Sequence, residues 1–304
     1  MTTATAQIGT TPAARVRYGS ISRGHKRTLY WSYFFLCLFV IFFLMPPVYM
    51  LITSLKTSAE IGAVTNPWWV YHPTLQNYVD LLTQAQFLTF FKNSAVVAVI
   101  VVAVTMIVSI MAAFSLARMK FWGSATLATG VFLTYLIPES LLFIPLFKIF
   151  AWVHQVTGIE LINHWWVLCF LYPTLTVPFC TWIMIGYFSS IPKELDEAAL
   201  IDGAGYLQIL TRVFIPVALP GIIAATIFCF TVSWANFLYP LAFTTSADQL
   251  VLPVGIVTTL IKGDVYNWGQ IMTGALLGAA PPLIIYAFLM DYYIAGLTAG
   301  ATKG

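Results

Sequence analysis

Six long stretches almost without charged residues constrain the fold of this chain. A helix rises 1.5 Å per residue, so about 20 apolar residues cross the hydrocarbon core of a bilayer. Backbone groups in lipid must be hydrogen-bonded within the protein, so each stretch predicts a transmembrane helix. We therefore predict an all-α membrane protein with six transmembrane helices. The predicted spans lie at about 30–54, 92–117, 122–147, 165–188, 217–243 and 268–291.

The composition excludes the common classes of soluble protein. Hydrophobic residues make up 60% of the 304 residues and charged residues only 8%, whereas globular domains average about 25% charged residues. The net charge of +3 is small and spread over loops, so no nucleic-acid partner is expected. All four cysteines fall inside apolar runs, where they predict neither a disulfide framework nor a metal pair.

Lysine and arginine predict the orientation, because they concentrate on the cytoplasmic side of membrane proteins. A cytoplasmic N-terminus would place ten basic residues inside and four outside. Both termini are therefore predicted to be cytoplasmic, with residues 1–29 as an N-terminal tail, 30–296 as the transmembrane domain and 297–304 as a C-terminal tail. The inner set is Arg15, Arg17, Arg23, Lys26, Arg27, Arg118, Lys120, Lys193, Arg212 and Lys303, and the outer set is Lys56, Lys92, Lys148 and Lys262.

A polar island at Ile191–Pro216 lies between the fourth and fifth predicted spans. It contains six of the chain's charged residues: Lys193, Glu194, Asp196, Glu197, Asp202 and Arg212. Pro192 suits the first turn of a helix, and the glycines at 203 and 205 can end that helix. We predict a helix–turn–helix along the cytoplasmic membrane face, with its second helix over Tyr206–Phe214 and closed by Pro216. An exposed pair of Asp202 and Arg212 would brace the two helices.

This island carries a family signature. Its sequence EAALIDGAGYLQILTRVFIP resembles the EAA loop of ABC importer permeases in register. The resemblance implies that coupling helices between spans four and five dock on a separate ATP-binding subunit. The residues implied in ATPase coupling are Glu197, Ala198, Ala199, Asp202, Gly203, Ala204, Arg212 and Pro216.

Other stretches resemble the sugar-importing, maltose-permease type of this family, among them SLKTSAEI, AAFSLARMKF, SWANFLYPLAF and YIAGLTAGATKG. The resemblance implies a permease that forms half of the translocation path for a sugar or polyol, with oligosaccharides and glycerol phosphates left open. It implies a second, different permease, two ATP-binding subunits or a homodimer of them, and an external solute-binding protein. It also implies the plasma (inner) membrane of a prokaryote.

Polar residues inside two spans are candidates for the substrate path: Glu139, Trp234, Asn236 and Tyr239. A charge in the bilayer centre costs roughly 2.5–3.5 kcal/mol on insertion scales, so Glu139 should find a partner or be protonated. It would accept hydrogen bonds from a polyhydroxy solute, or else cap backbone groups freed by Pro138. Asn236 would contact the solute or, alternatively, join two helices through a hydrogen bond.

Two other functions compete with an ABC permease. An ion-coupled secondary transporter is the main alternative, although such proteins place several ionisable groups at the midplane and this chain offers essentially Glu139. An intramembrane enzyme is a weaker one, because HExxH and GxSxG are missing from the sequence. The chain has no GxxxxGK[ST] motif, so ATP is expected to be used by the partner. No cofactor or metal is expected, since the histidines show no ligand-like spacing.

Overall fold

Helices account for most of the described residues in this computed structural model, which covers residues 23–65, 68–84, 86–119, 121–262 and 265–301. Two antiparallel strands, paired through Ile261 with Tyr266 and Lys262 with Val265, are a small departure from the predicted all-α fold. The α-helices and strands are α1 Arg23–Ser54, α2 Ser58–Ile61, α3 Gln76–Gln84, α4 Phe87–Arg118, α5 Ser124–Tyr135, α6 Glu139–Thr157, α7 Leu168–Leu171, α8 Pro173–Ser190, α9 Lys193–Ile201, α10 Tyr206–Ile209, α11 Ile215–Val217, α12 Leu219–Ala235, α13 Leu238–Phe243, α14 Leu252–Leu260, β1 Ile261–Lys262, β2 Val265–Tyr266 and α15 Trp268–Ala301.

Within the described residues, five helical stretches are long and apolar enough to cross a membrane, and a sixth results if one bent pair counts as a single span. The bent pair joins Tyr206–Val217 to Leu219–Ala235 at an angle of 82°. The five are Lys26–Ser54, Phe87–Arg118, Glu139–Thr157, Trp165–Ser190 and Trp268–Met290. Their number agrees with six predicted spans when the bent pair is counted as one.

The third predicted span, 122–147, is not one helix. The first helix, α5, ends at Tyr135, and α6 begins at Glu139 and continues to Thr157. Pro138 has an extended backbone at the break. Proline lacks the N–H that a helix interior needs and disfavours helical geometry in the residue before it. The candidate for crossing the membrane is therefore α6, which ends ten residues beyond the end of the predicted span.

The fifth predicted span, 217–243, is bent at Ala218 and interrupted at Asn236. The backbone of Asn236 is extended, and its side-chain Oδ1 accepts a hydrogen bond from the Tyr239 N–H at 3.1 Å. Asn236 thus ends α12, and its side chain accepts a hydrogen bond from the first turn of α13. Apolar content alone did not reveal this break.

The first and last helices extend into the two predicted tails. The first helix begins at Arg23, inside the predicted tail 1–29, and residues 1–22 lie outside the described part of the chain. The last helix continues to Ala301, so five residues of the predicted tail 297–304 are helical.

The core forms where α4 packs along α8 and α12. Near one end of α4, Phe114 contacts the rings of Phe188 and Phe214 at centroid distances of 6.3 Å and 5.1 Å. At the other end, Asn93 Nδ2 donates to the carbonyl oxygens of Asp248 and Leu250, each at 2.9 Å. Both ends of α4 are thereby fixed to segments distant in the sequence.

A close approach of α12 to α8 predicts a stability effect. A Cβ added at Gly221 would lie 2.4 Å from ring atoms of Tyr187, and overpacking of this kind costs typically about 1–3 kcal/mol. We expect Gly221→Val to lower the apparent Tm of the detergent-solubilised chain. Gly186→Val is the matched control, because nothing lies within 4 Å of its added Cβ. Equal Tm values for the two variants would contradict this packing.

Candidate functional site

The polar island folds as a helix–turn–helix. Its first helix, α9, starts directly after Pro192 and carries Glu194 and Asp196 in its first turn. Carboxylates near a helix N-terminus are stabilised by the partial positive charge of the exposed N–H groups. The acidic end of α9 is therefore a favourable start for a helix that stands outside the apolar core.

The turn after α9 depends on Gly203, whose φ is +81°. The Gly203 N–H donates to the Leu200 carbonyl at 3.0 Å, and the Ala204 N–H donates to the Ala199 carbonyl at 2.9 Å. These two bonds form a Schellman motif, in which glycine is preferred because a Cβ disfavours positive φ. The chain then turns sharply into the second helix.

The second helix is longer than predicted. It continues through a π-helical turn at Leu210–Phe214 to Val217, so Pro216 lies inside its last turn rather than ending it. In the π turn the Ile215 N–H donates to the Leu210 carbonyl, five residues earlier. A proline removes one ordinary helical hydrogen bond, and a π turn is one way to accommodate the change. The bend follows at Ala218, where α12 begins.

Exposed apolar side chains cover the outside of this loop. We call the following five residues the coupling surface: Leu195, Leu200, Ile201, Tyr206 and Leu207. Ile201 is 86% exposed and Leu207 is 70% exposed. Exposed apolar side chains beside charged residues are typical of sites that bind another protein.

The structure places the predicted coupling residues around this surface. Six of them are exposed and two are half-buried, and no ion pair joins Asp202 to Arg212 within the part of the chain that the structure describes. The expected brace between the two helices is therefore not formed. The exposed residues are Glu197, Ala198, Asp202, Gly203, Arg212 and Pro216, and the half-buried ones are Ala199 and Ala204.

A cavity of about 510 Å³ separates the end of α4 from the loop. Glu197, Asp196 and Tyr206 line it from the loop, and Phe114 and Arg118 line it from α4. Arg118 Nη1 lies 3.6 Å from Asp196 Oδ2. From the sequence alone, Arg118 was used only to predict the orientation in the membrane. Its position directly after a long apolar run could have identified it as a candidate functional residue.

Three of the four predicted substrate-path residues lie together at the two helix breaks. Asn236 Nδ2 donates to Glu139 Oε2 at 2.8 Å, and Asn236 Oδ1 accepts from the Tyr239 N–H. The ring of Tyr239 is fully buried and stacks on Tyr172 with a centroid distance of 6.4 Å. Glu139 therefore has a hydrogen-bond partner, and that partner comes from a distant helix.

Trp234 lies in a separate cluster. Its indole N–H donates to the Gly278 carbonyl at 2.9 Å, and its ring stacks on Phe230 at 5.4 Å. These contacts hold the side chain between α12 and α15. The structure thus does not bring Trp234 into the hydrogen-bonded group around Glu139.

Glu139 also lines a cavity of about 440 Å³ at the break between α5 and α6. Thr134, Tyr135 and Thr174 also line it, together with the aromatic ring of Phe228 and several aliphatic residues. These three hydroxyl-bearing residues were missed from the sequence, because only the fold brings α5 and α8 together. Hydroxyl and carboxylate groups beside an aromatic ring can hydrogen-bond to and pack against a polyhydroxy solute.

Comparison with known proteins assigns the chain to a family. The family described as "binding-protein-dependent transport system inner membrane component" matches residues 105–298. The inner membrane ABC transporter permease protein YcjP of Escherichia coli is 34% identical over 92% of this chain and 99% of its own length. The sulfoquinovosyl glycerol transport system permease protein SmoH of Agrobacterium fabrum is 33% identical, over 86% and 89% of the two chains. The trehalose/maltose transport system permease protein MalG of Thermococcus litoralis is 31% identical, over 88% and 94%.

Solved structures show the same fold. A chain of a bacterial ABC transporter involved in the import of the acidic polysaccharide alginate superposes with a TM-score of 0.75. The match covers 90% of this chain and 98% of that one at 20% identity. The chain therefore belongs to the family of binding-protein-dependent ABC importer permeases, as a multi-pass component of the inner membrane.

Proposed function

We propose that this permease imports a sugar or polyol, and that a separate ATPase drives it through the loop at 190–216. The observation that carries the coupling role is the coupling surface itself. A loop that carries Glu197 and Asp202 also exposes Ile201 and Leu207 almost fully. Such a combination costs free energy in water unless a protein partner covers it.

The shape of the loop supports force transmission. Two hydrogen bonds fix the turn at Gly203 that joins α9 to the second helix, and the second helix runs into the bend at Ala218 before α12. A displacement of the loop therefore reaches α12 through a short, hydrogen-bonded path. The same span ends at Asn236, which binds Glu139.

The solute class is inferred from the relatives and from the cavity at Glu139. SmoH is named for a sulfoquinovosyl glycerol and MalG for trehalose and maltose. Carboxylate, hydroxyl and aromatic groups line the cavity beside α6. Hydroxyl-rich solutes match this lining, because each hydroxyl can donate to or accept from it.

We further propose that both termini are cytoplasmic and that the loop faces the cytoplasm. The chain would supply half of the path, and a second, different permease would supply the other half. Two ATP-binding subunits would bind below the membrane, and an external solute-binding protein would deliver the solute. The alternative of an ion-coupled secondary transporter gains no support from membership in an ATP-driven family.

Reconstitution tests the proposal. The chain is co-purified with its partner subunits, placed in proteoliposomes and supplied with ATP and the binding protein loaded from a panel of sugars, polyols, amino acids and peptides. We expect ATP hydrolysis and uptake to rise with a sugar or polyol only. Uptake that proceeds without the ATPase and collapses with an uncoupler would overturn the proposal, and stimulation by an amino acid or peptide would overturn the solute class.

A further inference from the structure

Arg118 is a nearly buried cation at the end of α4, the helix that packs along both α8 and α12. It is the last residue of α4, and its side chain is only 6% exposed. A buried guanidinium is costly unless its donors are used. Its contacts therefore indicate what the side chain is for.

The contacts of Arg118 reach three other parts of the fold. Nη2 donates to the carbonyl oxygen of Phe188 at 2.8 Å and to that of Ile191. Nη1 pairs with Asp196 on α9, and the guanidinium lies 4.8 Å from the centre of the Phe214 ring. One side chain thus joins α4 to the end of α8 and to both helices of the loop.

The join spans the short linker between α8 and α9. This linker consists of Ile191 and Pro192, both with extended backbones, so the helical hydrogen bonding of α8 does not continue into α9. Arg118 bridges the linker, because it donates to the Ile191 carbonyl within it and pairs with the Asp196 carboxylate beyond it.

Arginine suits this position for physical reasons. The last carbonyls of a helix lack intrahelical partners and carry partial negative charge. The planar guanidinium binds carbonyls, a carboxylate and an aromatic face at the same time, whereas lysine offers a compact point charge. A lysine at this position would still attract Asp196, but its ammonium group would not contact the carbonyls, the carboxylate and the aromatic ring at the same time.

We propose that Arg118 is a positioning residue for energy coupling, which makes α4 and α8 move with the loop when the ATPase displaces it. The inference rests on the proposed coupling function and adds a second route for the displacement. The first route leads through the second loop helix into α12. The second leads through Asp196 and Arg118 into α4, whose other end is held at Asn93.

The test uses the complete transporter in proteoliposomes and measures three quantities: the ATPase that co-purifies, the rate of ATP hydrolysis, and the solute moved per ATP. The variants are Arg118→Gln, Arg118→Lys, Asp196→Asn and the double variant Arg118→Gln/Asp196→Asn. Lys148→Gln, which changes an exposed cation on α6 that lines neither the loop nor its cavity, is the control.

We expect Arg118→Gln to retain the ATPase but to lower the solute moved per ATP about tenfold. Arg118→Lys should recover only part of that ratio, and Asp196→Asn should lower it less than Arg118→Gln. The double variant should be no worse than Arg118→Gln alone, because both changes break one connection. Lys148→Gln should leave all three quantities unchanged.

An unchanged solute-to-ATP ratio in Arg118→Gln would overturn the proposal, even if the yield of folded chain fell, since a purely structural role changes the yield and not the ratio. If Arg118→Gln does not insert, Asp196→Asn decides the question by the same ratio. A different variant tests the proposed coupling function of the loop. Wild-type ATPase binding and uptake in a Glu197→Lys chain would contradict that function, whatever the result for Arg118.

Discussion

Replacing Glu197 by lysine is expected to reduce solute uptake about 100-fold, while the chain still inserts into the membrane. Glu197 is exposed beside the coupling surface and is half of no ion pair in the described residues, so the folded chain does not need its charge. Reversing a charge at a complementary interface costs several kcal/mol, and about 3 kcal/mol corresponds to roughly 100-fold in affinity. The variant should therefore lose its ATPase. Co-purification of the ATPase and uptake into proteoliposomes measure the two effects.

The control reverses a charge elsewhere. Glu160→Lys changes an exposed acid in the segment between α6 and α8 and should leave ATPase binding and uptake near wild type. Glu197→Gln removes the charge without reversing it, so its loss should be smaller than that of Glu197→Lys. Wild-type ATPase binding in Glu197→Lys would contradict a docking role for this residue.

Apolar content predicted where the chain crosses the membrane but not where the helices break. Five of the six predicted spans overlap a continuous membrane-length helix in the structure, although only the α6 half of span 122–147 does so. The breaks at Pro138 and Asn236 depend on backbone chemistry. A proline in an apolar run can remain within a helix, as Pro178 does in α8, or end one. Tertiary contacts decide between these outcomes, and a single sequence does not contain them explicitly.

The candidate sites also differ in how far the sequence predicts them, because some of their features are local and others depend on contacts between distant residues. The loop was predictable because its helices, its glycine turn and its acidic first turn are all local features. The contacts of Arg118 were not, because its partners Phe188 and Asp196 lie 70 or more residues away in the chain. Trp234 is a sequence neighbour of Asn236, yet its indole N–H donates to the Gly278 carbonyl and does not join the hydrogen-bonded group around Glu139.

Replacing Glu139 by leucine is expected to reduce the rate of solute transport by tenfold or more at saturating loaded binding protein. Leucine removes the carboxylate that binds Asn236 and faces the cavity between α5 and α6. Hydrogen bonds to charged groups contribute about 1.5–3 kcal/mol, which corresponds to roughly 10- to 100-fold in rate when the bond forms in the rate-limiting step. Glu139→Gln keeps an oxygen acceptor and should lose much less. The rate of solute transport per folded complex and the Tm of each purified complex are the measurements.

The two measurements separate a path residue from a structural link between α6 and α12. If the Glu139–Asn236 bond only holds the helices together, Glu139→Leu lowers Tm and the surviving complexes transport at the wild-type rate. If Glu139 also contacts the solute, transport per folded complex falls, and the loss depends on which sugar or polyol is supplied. Trp234→Phe provides the comparison, because it removes the indole bond to Gly278 without touching Glu139. It should lower Tm and leave the transport rate per complex unchanged. Equal rates per folded complex in Glu139→Leu and Trp234→Phe would therefore remove Glu139 from the substrate path.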